Sequence, residues 1–268
     1  MKNYTLEKIK ENCSKLELQI LDLYLKRFKQ KDICFLLNIS RHKIDSLVSK
    51  YNLTRFRDRK NYCCNNININ DPKFWYFLGL FASDGNLYKC SGVDVIQFTL
   101  DDKEALEDIK EILQYTGNIY TYYRYDKLRY FLKISDSVLI QAVRNIFKSD
   151  CYRKTFNLQF PLINDESCLK MFLRGYIDGD GSFAKGKNKN YYIFKIYCHS
   201  LEFHESLFKC LKTITKRVTT SKNHSIEISA QNDMYIFLKY LYSIHPNLGI
   251  IRKRERAMQH IRNYELKI

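Results

Sequence analysis

Two aspartates at matching places in a repeated sequence have the chemistry of a divalent-metal site. Residues 77–85 (FLGLFASDG) and 173–181 (LRGYIDGDG) each run apolar residues into an Asp-Gly pair, so Asp84 and Asp180 lie 96 residues apart. Two carboxylates in a small space repel each other unless a cation intervenes, and Mg²⁺ binds one or two carboxylates together with water and substrate phosphate. Such a site can hold the attacking and leaving oxygens of a phosphoryl displacement. We therefore predict that both aspartates bind Mg²⁺, with Mn²⁺ as the alternative.

A stripe of small residues in each stretch predicts how the aspartates are brought together. It consists of Gly79 and Ser83 in the first stretch and of Gly175 and Gly179 in the second, four residues apart in each case. Small residues at this spacing lie on one side of a helix and let another helix approach closely. If the two helices pack on each other, their C-terminal ends meet, and the aspartates meet with them. An Asp-Gly pair can also be a simple turn after a buried helix, but its recurrence in register favours paired helices.

These stretches resemble the paired signature helices of the LAGLIDADG homing endonucleases, in the single-chain form that carries two motifs. The third-position glycine of the signature matches Gly79 and Gly175, and its metal-binding aspartate matches Asp84 and Asp180. The first stretch departs at position six, which is Ala82, and the second departs at position seven, which is a glycine. Both positions vary within the family.

The resemblance covers about residues 71 to 262 and implies both a fold and an activity. The fold would be α+β, with two pseudo-symmetric αββαββα repeats whose sheets form a saddle for double-stranded DNA. The activity would be site-specific double-strand cleavage by Mg²⁺-dependent hydrolysis, with water as the nucleophile. Asp84 and Asp180 would be catalytic, and Ser83 and Gly179, which directly precede them, complete the candidate metal-binding set.

Two lysines also follow the repeat. Lys154 lies 70 residues after the first aspartate, and Lys253 lies 73 residues after the second. Phosphodiester hydrolysis needs positive charge near the scissile phosphate in addition to the metal. The two lysines resemble the paired active-site lysines of the family and are predicted to be catalytic. The neighbouring Arg153 or Arg252 could take this role instead, and a plain surface role for the two lysines is the other alternative.

Residues 1–53 are predicted to form a separate helix-turn-helix domain. An apolar-rich helix ends near Leu25, a second helix spans residues 30–37, and Asn38 occupies a place that often requires positive φ. Ser40 is then a suitable N-cap for a third helix. That helix would expose the residues predicted to contact the major groove, namely Arg41, His42, Lys43, Ser46 and Lys50. A helical hairpin that only packs on the next domain is the alternative.

Residues 54–70 read as a basic linker, residues 71–160 as repeat 1 and residues 161–268 as repeat 2. Each repeat reads as helix, two strands, helix, two strands, helix, and the strands carry a polar and basic face typical of a DNA-reading sheet. The predicted DNA contacts on these strands are Gln97, Thr99, Arg124, Arg129, Lys133, Lys195, Arg217 and Lys222. Lys187 and Lys189, in a basic loop, are predicted phosphate contacts.

The composition restricts the partners. The 268 residues include 45 Lys and Arg against 29 Asp and Glu, a net charge of +16, which indicates a polyanionic partner. The sequence contains no long apolar segment, so we expect DNA and no membrane. The nine cysteines form no CxxC pair, which predicts reduced thiols and no zinc site.

We expect a monomer that is free-standing or intron-encoded, in the cytoplasm or on the nucleoid of a prokaryotic or phage system, with an organelle as the alternative. Two further functions stay open at this point. One is a maturase that binds intron RNA on the same scaffold. The other is a helix-turn-helix transcriptional regulator whose doubled domain has lost catalysis. Retention of both aspartates favours cleavage.

Overall fold

A computed structural model describes residues 13–25, 28, 30–51, 64–185, 192–221 and 224–266. The chain divides into two compact units, residues 1–61 and residues 62–268. The module boundaries that the sequence suggested, at residues 53, 70 and 160, stay predictions. Among the described residues, none of the helices combines the length and apolar character needed to cross a bilayer.

The described residues of the first unit form three helices, which pack on one another in pairs. They are α1 (Lys15–Leu25), α2 (Gln30–Leu37) and α3 (Arg41–Lys50). Asn38 has a φ of +48°, as predicted for the residue that ends α2. Ser40 is the N-cap of α3, but its side chain makes no capping hydrogen bond. The described helices confirm the small all-α unit, and its identity as a helix-turn-helix stays a prediction.

The second unit repeats one order of elements twice. Repeat 1 contains α4 (Pro72–Asp84), β1 (Asn86–Cys90), β2 (Val93–Leu100), α5 (Lys103–Leu113), β3 (Ile119–Arg124), β4 (Lys127–Ile134) and α6 (Ser137–Phe147). The short helix α7 (Lys154–Asn157) follows. Repeat 2 contains α8 (Glu166–Asp180), β5 (Gly181–Lys185), β6 (Tyr192–Tyr197), α9 (Leu201–Ile214), β7 (Val218–Thr220), β8 (Ser225–Ile228), α10 (Gln231–Leu241) and α11 (Ile251–Glu265).

Each repeat has one antiparallel sheet of four strands with the same topology, β1-β2-β4-β3 in the first and β5-β6-β8-β7 in the second. One face of each sheet packs on helices, and buried side chains of both repeats form a single hydrophobic core around α4 and α8. This arrangement confirms the predicted α+β fold with two pseudo-symmetric repeats.

The two central helices begin in similar ways. The carboxylate of Asp71 caps α4 by accepting a hydrogen bond from Lys73 N at 2.9 Å, and Pro72 takes the first helical position. Asp165 caps α8 by accepting from Cys168 N at 2.8 Å. Each capping carboxylate satisfies an N–H group that a helix leaves unpaired at its start.

Part of the predicted linker packs on repeat 1. Asn66 Nδ2 donates to Ile112 O at 2.8 Å, and Trp75 Nε1 donates to Ile69 O at 2.7 Å. These bonds tie residues 64–70 to α5 and α4. Residues 54–63 of the linker lie outside the described residues.

Candidate active site

The crossing of α4 and α8 has room only for glycine at its two central positions. A Cβ atom on Gly175 would lie 2.8 Å from Leu80 N and 3.0 Å from Tyr76 C, and closer still to the oxygen of that carbonyl. A Cβ atom on Gly79 would lie 2.7 Å from Tyr176 N. The two backbones are therefore in direct contact, as the small-residue stripes predicted.

The second member of each stripe lies nearer the aspartates. A Cβ atom on Gly179 would contact the Ser83 side chain and would lie 2.9 Å from Asp84 Oδ2. The carboxylate at the end of one helix thus lies beside the last turn of the other. All four predicted interface residues lie at the crossing.

The two aspartates share one electrostatic environment. Partial burial raises the pKa of Asp180 to about 6, and the negative charge of Asp84 adds to the increase. The Asp84 side chain is open to solvent on one side, yet the protein packed around it raises its pKa. The positive charges of Lys253 and Lys154 oppose that increase. The structure therefore brings the predicted pair together as two carboxylates for which ionisation is unfavourable without a nearby cation.

Lys154 binds the C-terminal end of α4. Its Nζ atom donates to Ala82 O at 2.7 Å and also to Ser83 O. Burial lowers the pKa of Lys154 to about 8, while the charges of Asp180 and Asp84 act in the opposite direction. The ammonium thus lies at the negative end of the helix dipole, close to both carboxylates.

Lys253 binds the end of α8 in the same manner and is more deeply buried, with 7% of its surface exposed. Its Nζ atom lies within hydrogen-bond distance of four carbonyl oxygens, those of Ile177 (3.1 Å), Asp178 (2.6 Å), Gly179 (2.9 Å) and Gly181 (2.7 Å). Burial lowers the pKa of this lysine, and Asp178 is the charge that most opposes the decrease. Each predicted lysine therefore satisfies carbonyls that a helix leaves unpaired at its end.

The oxygen atoms at the helix ends fit a hard divalent cation. Within the described part of the chain, no three His, Cys, Asp or Glu side chains cluster as metal ligands. Two carboxylates with water and substrate phosphate are nevertheless the usual ligands of Mg²⁺. The carbonyls of Ser83 and Gly179 each accept a lysine hydrogen bond, and a carbonyl oxygen has a second lone pair. The Ser83 hydroxyl donates within its own helix, to Leu80 O at 3.1 Å.

A buried network that the sequence reading missed fixes the start of α11, which carries Lys253. Asp178 Oδ2 accepts from Tyr76 OH at 2.9 Å and from Ile250 N at 3.2 Å. Arg174, also buried, donates to His245 O at 3.3 Å in the same loop and lies over the Tyr242 ring. The sequence contains one sign of this network: position six of the second stretch is the acidic Asp178, whereas position six of the first is Ala82.

Lys154 is positioned by a different set of contacts. Tyr152 OH donates to Asp94, and Arg144 Nη2 lies 3.0 Å from the same carboxylate. Arg153, directly before the lysine, has a φ of +53° and is exposed. Arg252, its counterpart before Lys253, donates hydrogen bonds to the Asp102 carboxylate in repeat 1.

The predicted DNA contacts of repeat 1 share one face of the first sheet. In the register of the sheet Gln97 pairs with Lys133, and Tyr122 pairs with Arg129, so their side chains leave the sheet on the same side. That side is opposite to the buried Ile96, Phe98 and Leu132. The five predicted contacts on this face are Gln97, Thr99, Arg124, Arg129 and Lys133.

In the second sheet one predicted residue lies where the sequence placed it and another does not. Lys195 lies on the outer face, where it forms an ion pair with Glu227 at 2.7 Å. Arg217 was predicted to lie in a strand, and this is wrong, because β7 begins only at Val218. The carboxylate of Asp233 accepts from Arg217 N at 3.2 Å and from the preceding N–H at 2.9 Å, so these groups do not enter the sheet. Lys187, Lys189 and Lys222 lie outside the described residues.

In the first unit, α3 presents its predicted contact residues to solvent. Arg41, His42, Lys43, Ser46 and Lys50 are all exposed, while Ile44, Leu47 and Val48 of the same helix are buried. Arg41 Nε donates to Gln30 Oε1 at 2.9 Å, which ties the start of α3 to α2.

Two α+β repeats joined through closely packed first helices, with one carboxylate at the end of each, define a fold of two pseudo-symmetric halves. A sequence profile described as a LAGLIDADG-like domain matches residues 71–148 and 167–257. The chain belongs to this family. No curated protein sequence matches the chain.

Two solved structures with a TM-score of 0.50 show the same fold, and a third structure is also similar. The LAGLIDADG homing endonuclease I-LtrWI, bound to target DNA, is 15% identical and aligns over 75% of this chain and 92% of its own, with a TM-score of 0.50. I-GzeII, in complex with its DNA target, is 14% identical over 74% of this chain and 91% of its own, also with a TM-score of 0.50. The meganuclease I-AabMI, bound to uncleaved DNA, is 16% identical over 74% and 91%, with a TM-score of 0.49.

Proposed function

We propose that this chain is a site-specific DNA endonuclease that hydrolyses one phosphodiester bond in each strand of a double-stranded target with the help of Mg²⁺. The observation that carries the proposal is the pair of aspartates at the crossing of α4 and α8, whose pKa values are raised by burial and, for Asp180, also by the charge of Asp84. Family membership and the DNA-bound proteins of the same fold support DNA as the substrate.

Asp84 and Asp180 would hold the metal, together with carbonyl oxygens of the two helix ends. A bound divalent ion at such a site supplies a water of lowered pKa and charge stabilisation for the phosphoryl oxygens. The lysines contribute positive charge beside the carboxylates, and by binding the helix ends they hold both aspartates in place. Because the two carboxylates come from opposite halves of one chain, a monomer is sufficient to cut both strands.

DNA binding is assigned to the outer faces of the two sheets. Arg124, Arg129 and Lys133 give the first face a positive charge, although Arg129 is paired with Asp101 at 2.6 Å. Positive charge of this kind binds the phosphate backbone with a strong salt dependence. The exposed residues of α3 would add a major-groove contact. In this view the first unit contributes affinity or specificity and no catalysis.

The proposal is tested with a library of randomised duplex DNA. The full-length protein is incubated with the library in the presence of Mg²⁺ or of EDTA, and the cleaved DNA is amplified and sequenced. We expect one enriched cleaved sequence with Mg²⁺ and none with EDTA. The matched control is the Asp84→Asn/Asp180→Asn protein, which should bind the enriched sequence without cutting it. If the wild-type protein binds one duplex or intron RNA tightly and cuts no DNA, the proposal is wrong.

A further inference from the structure

The two repeats carry different residues at one pair of positions. The register of the strands shows that these positions correspond. Asn86 of β1 pairs with Gln97 of β2, and Ser182 of β5 pairs with Lys195 of β6, so these partners correspond between the repeats. Four residues further along each chain, at the turn before α5 or α9, repeat 1 has Asp101 and repeat 2 has His199. An acidic side chain and an imidazole therefore occupy matching positions beside the site.

His199 lines a cavity that also reaches a predicted catalytic aspartate and lysine. The cavity has a volume of about 190 Å³, and Ser83, Lys154, Asp180 and His199 are among its lining residues. The His199 side chain is exposed, and within the described residues its imidazole has no hydrogen-bond partner. Its positive form is one of the charges that lower the pKa of Asp180, after the larger effects of Lys154 and Lys253. An imidazole with free N–H capacity thus lies next to one carboxylate.

At the matching position of repeat 1 the described side chain is a paired hydrogen-bond acceptor and not a donor. Asp101 Oδ1 accepts from Arg129 Nε at 2.6 Å. The next residue, Asp102, binds Arg252 through both carboxylate oxygens, with distances of 2.8 to 3.1 Å. Asp101 and Asp102 are therefore each paired with an arginine, whereas His199 has no such partner within the described residues.

We infer that His199 is a further catalytic residue that donates a hydrogen bond to the scissile phosphate of one DNA strand only, the strand that is cut beside Asp180 and Lys154. The inference rests on the proposed endonuclease function. An imidazole carries at least one N–H in either protonation state, so it can donate to a phosphate oxygen at any pH at which the protein is folded. On the side of Asp84 and Lys253, the counterpart of His199 is Asp101, whose carboxylate accepts hydrogen bonds and cannot donate one to the other strand.

The inference is tested by measuring the cutting of each strand separately. The selected target carries a different fluorophore on each strand, and the single-turnover rate of each is read from a denaturing gel with wild-type protein, His199→Ala and His199→Gln. Loss of a hydrogen bond to a charged group should slow one strand by about tenfold to a hundredfold and leave the other unchanged. On plasmid DNA, His199→Ala should accumulate nicked circles. Glutamine, which keeps an N–H donor, should restore much of the rate.

Asp101→Ala is the matched control in the other repeat, and it should not slow the strand that depends on His199. Equal slowing of both strands by His199→Ala, or no slowing of either, would overturn the inference while leaving the endonuclease function intact. A failure of glutamine to restore the rate would also overturn it, because the donor role would then be wrong. If the wild-type protein cuts neither strand, both the inference and the proposed function are overturned.

Discussion

Replacing Gly175 with alanine tests whether close contact between α4 and α8 builds the site. The added Cβ would lie 2.8 Å from Leu80 N and closer to Tyr76 O, whereas an ordinary contact between carbon and oxygen is about 3.3 Å or more. The helices must therefore separate by roughly 1 Å. Overpacking of this kind destabilises by up to about 3 kcal/mol, and the better helix propensity of alanine returns about 1 kcal/mol. We expect a net loss of about 2 kcal/mol in the free energy of unfolding.

Thermal unfolding and cleavage rate measure the two consequences of Gly175→Ala. A loss of about 2 kcal/mol corresponds to a decrease of about 4–8 °C in Tm for a unit of this size. A displacement of about 1 Å between the aspartates should slow cleavage by about a hundredfold. Gly92→Ala is the control, because no atom lies within 4 Å of the added methyl there and only the φ of +80° opposes it. That control should lose about 1 kcal/mol and cut DNA at the wild-type rate.

A Gly175→Ala protein with wild-type Tm and wild-type cleavage rate would refute the reasoning. It would mean that the backbones do not touch at Gly175, or that the separation of the helix ends does not control the distance between Asp84 and Asp180. A decrease in Tm with an unchanged cleavage rate at a temperature where the protein is folded would refute the second step alone.

Three other perturbations give distinct results. Lys253→Met leaves buried carbonyls unpaired and should lower the free energy of unfolding by about 3 kcal/mol or more. Lys154→Met, at a less enclosed site, should lower it by about 1–2 kcal/mol. Urea unfolding measures both values, and equal losses would contradict the capping role. Because the pKa of Asp180 is raised to about 6 in the fold, its contribution to stability is present at low pH and is lost as the pH rises through that value. Between about pH 4 and about pH 7, the metal-free wild-type protein should therefore lose stability relative to metal-free Asp180→Asn. Added Mg²⁺ should raise the Tm of the wild-type protein more above about pH 6 than below it. Identical pH profiles of stability for the two proteins would contradict this. Lys133→Ala should weaken DNA binding at all sequences and reduce the slope of log K against log salt by about one, as measured by fluorescence anisotropy, and an unchanged slope would remove this lysine from the interface.

The helix pair could be predicted because its signal is local. The small-residue stripes, the apolar runs and the terminal Asp-Gly pairs all lie within two stretches of nine residues, and the recurrence of the pattern removed most of the ambiguity. The buried and polar faces of β2 followed from the alternation of Ile96, Phe98 and Leu100 with polar residues. These features could be predicted because they depend on the helix or strand period and on which residues close together in the sequence are buried.

The partners of the lysines could not be predicted, because they are backbone carbonyls more than 70 residues away in the sequence. The spacing selected Lys154 and Lys253 as candidates but gave no sign that both bind helix ends. The start of β7 was placed too early for a similar reason, since the carboxylate of Asp233 takes the N–H groups that a strand would use. Contacts of this kind become visible only after the chain is folded.

The most direct test of the central claim is the cleavage rate of the selected DNA target by Asp84→Asn and by Asp180→Asn, measured with Mg²⁺ at protein concentrations that saturate binding. If the two helix ends hold one metal-assisted site, each single substitution should reduce the rate of double-strand cleavage by about 10²–10³-fold or more while DNA binding remains. Wild-type cleavage by either variant, with binding intact, would contradict the account.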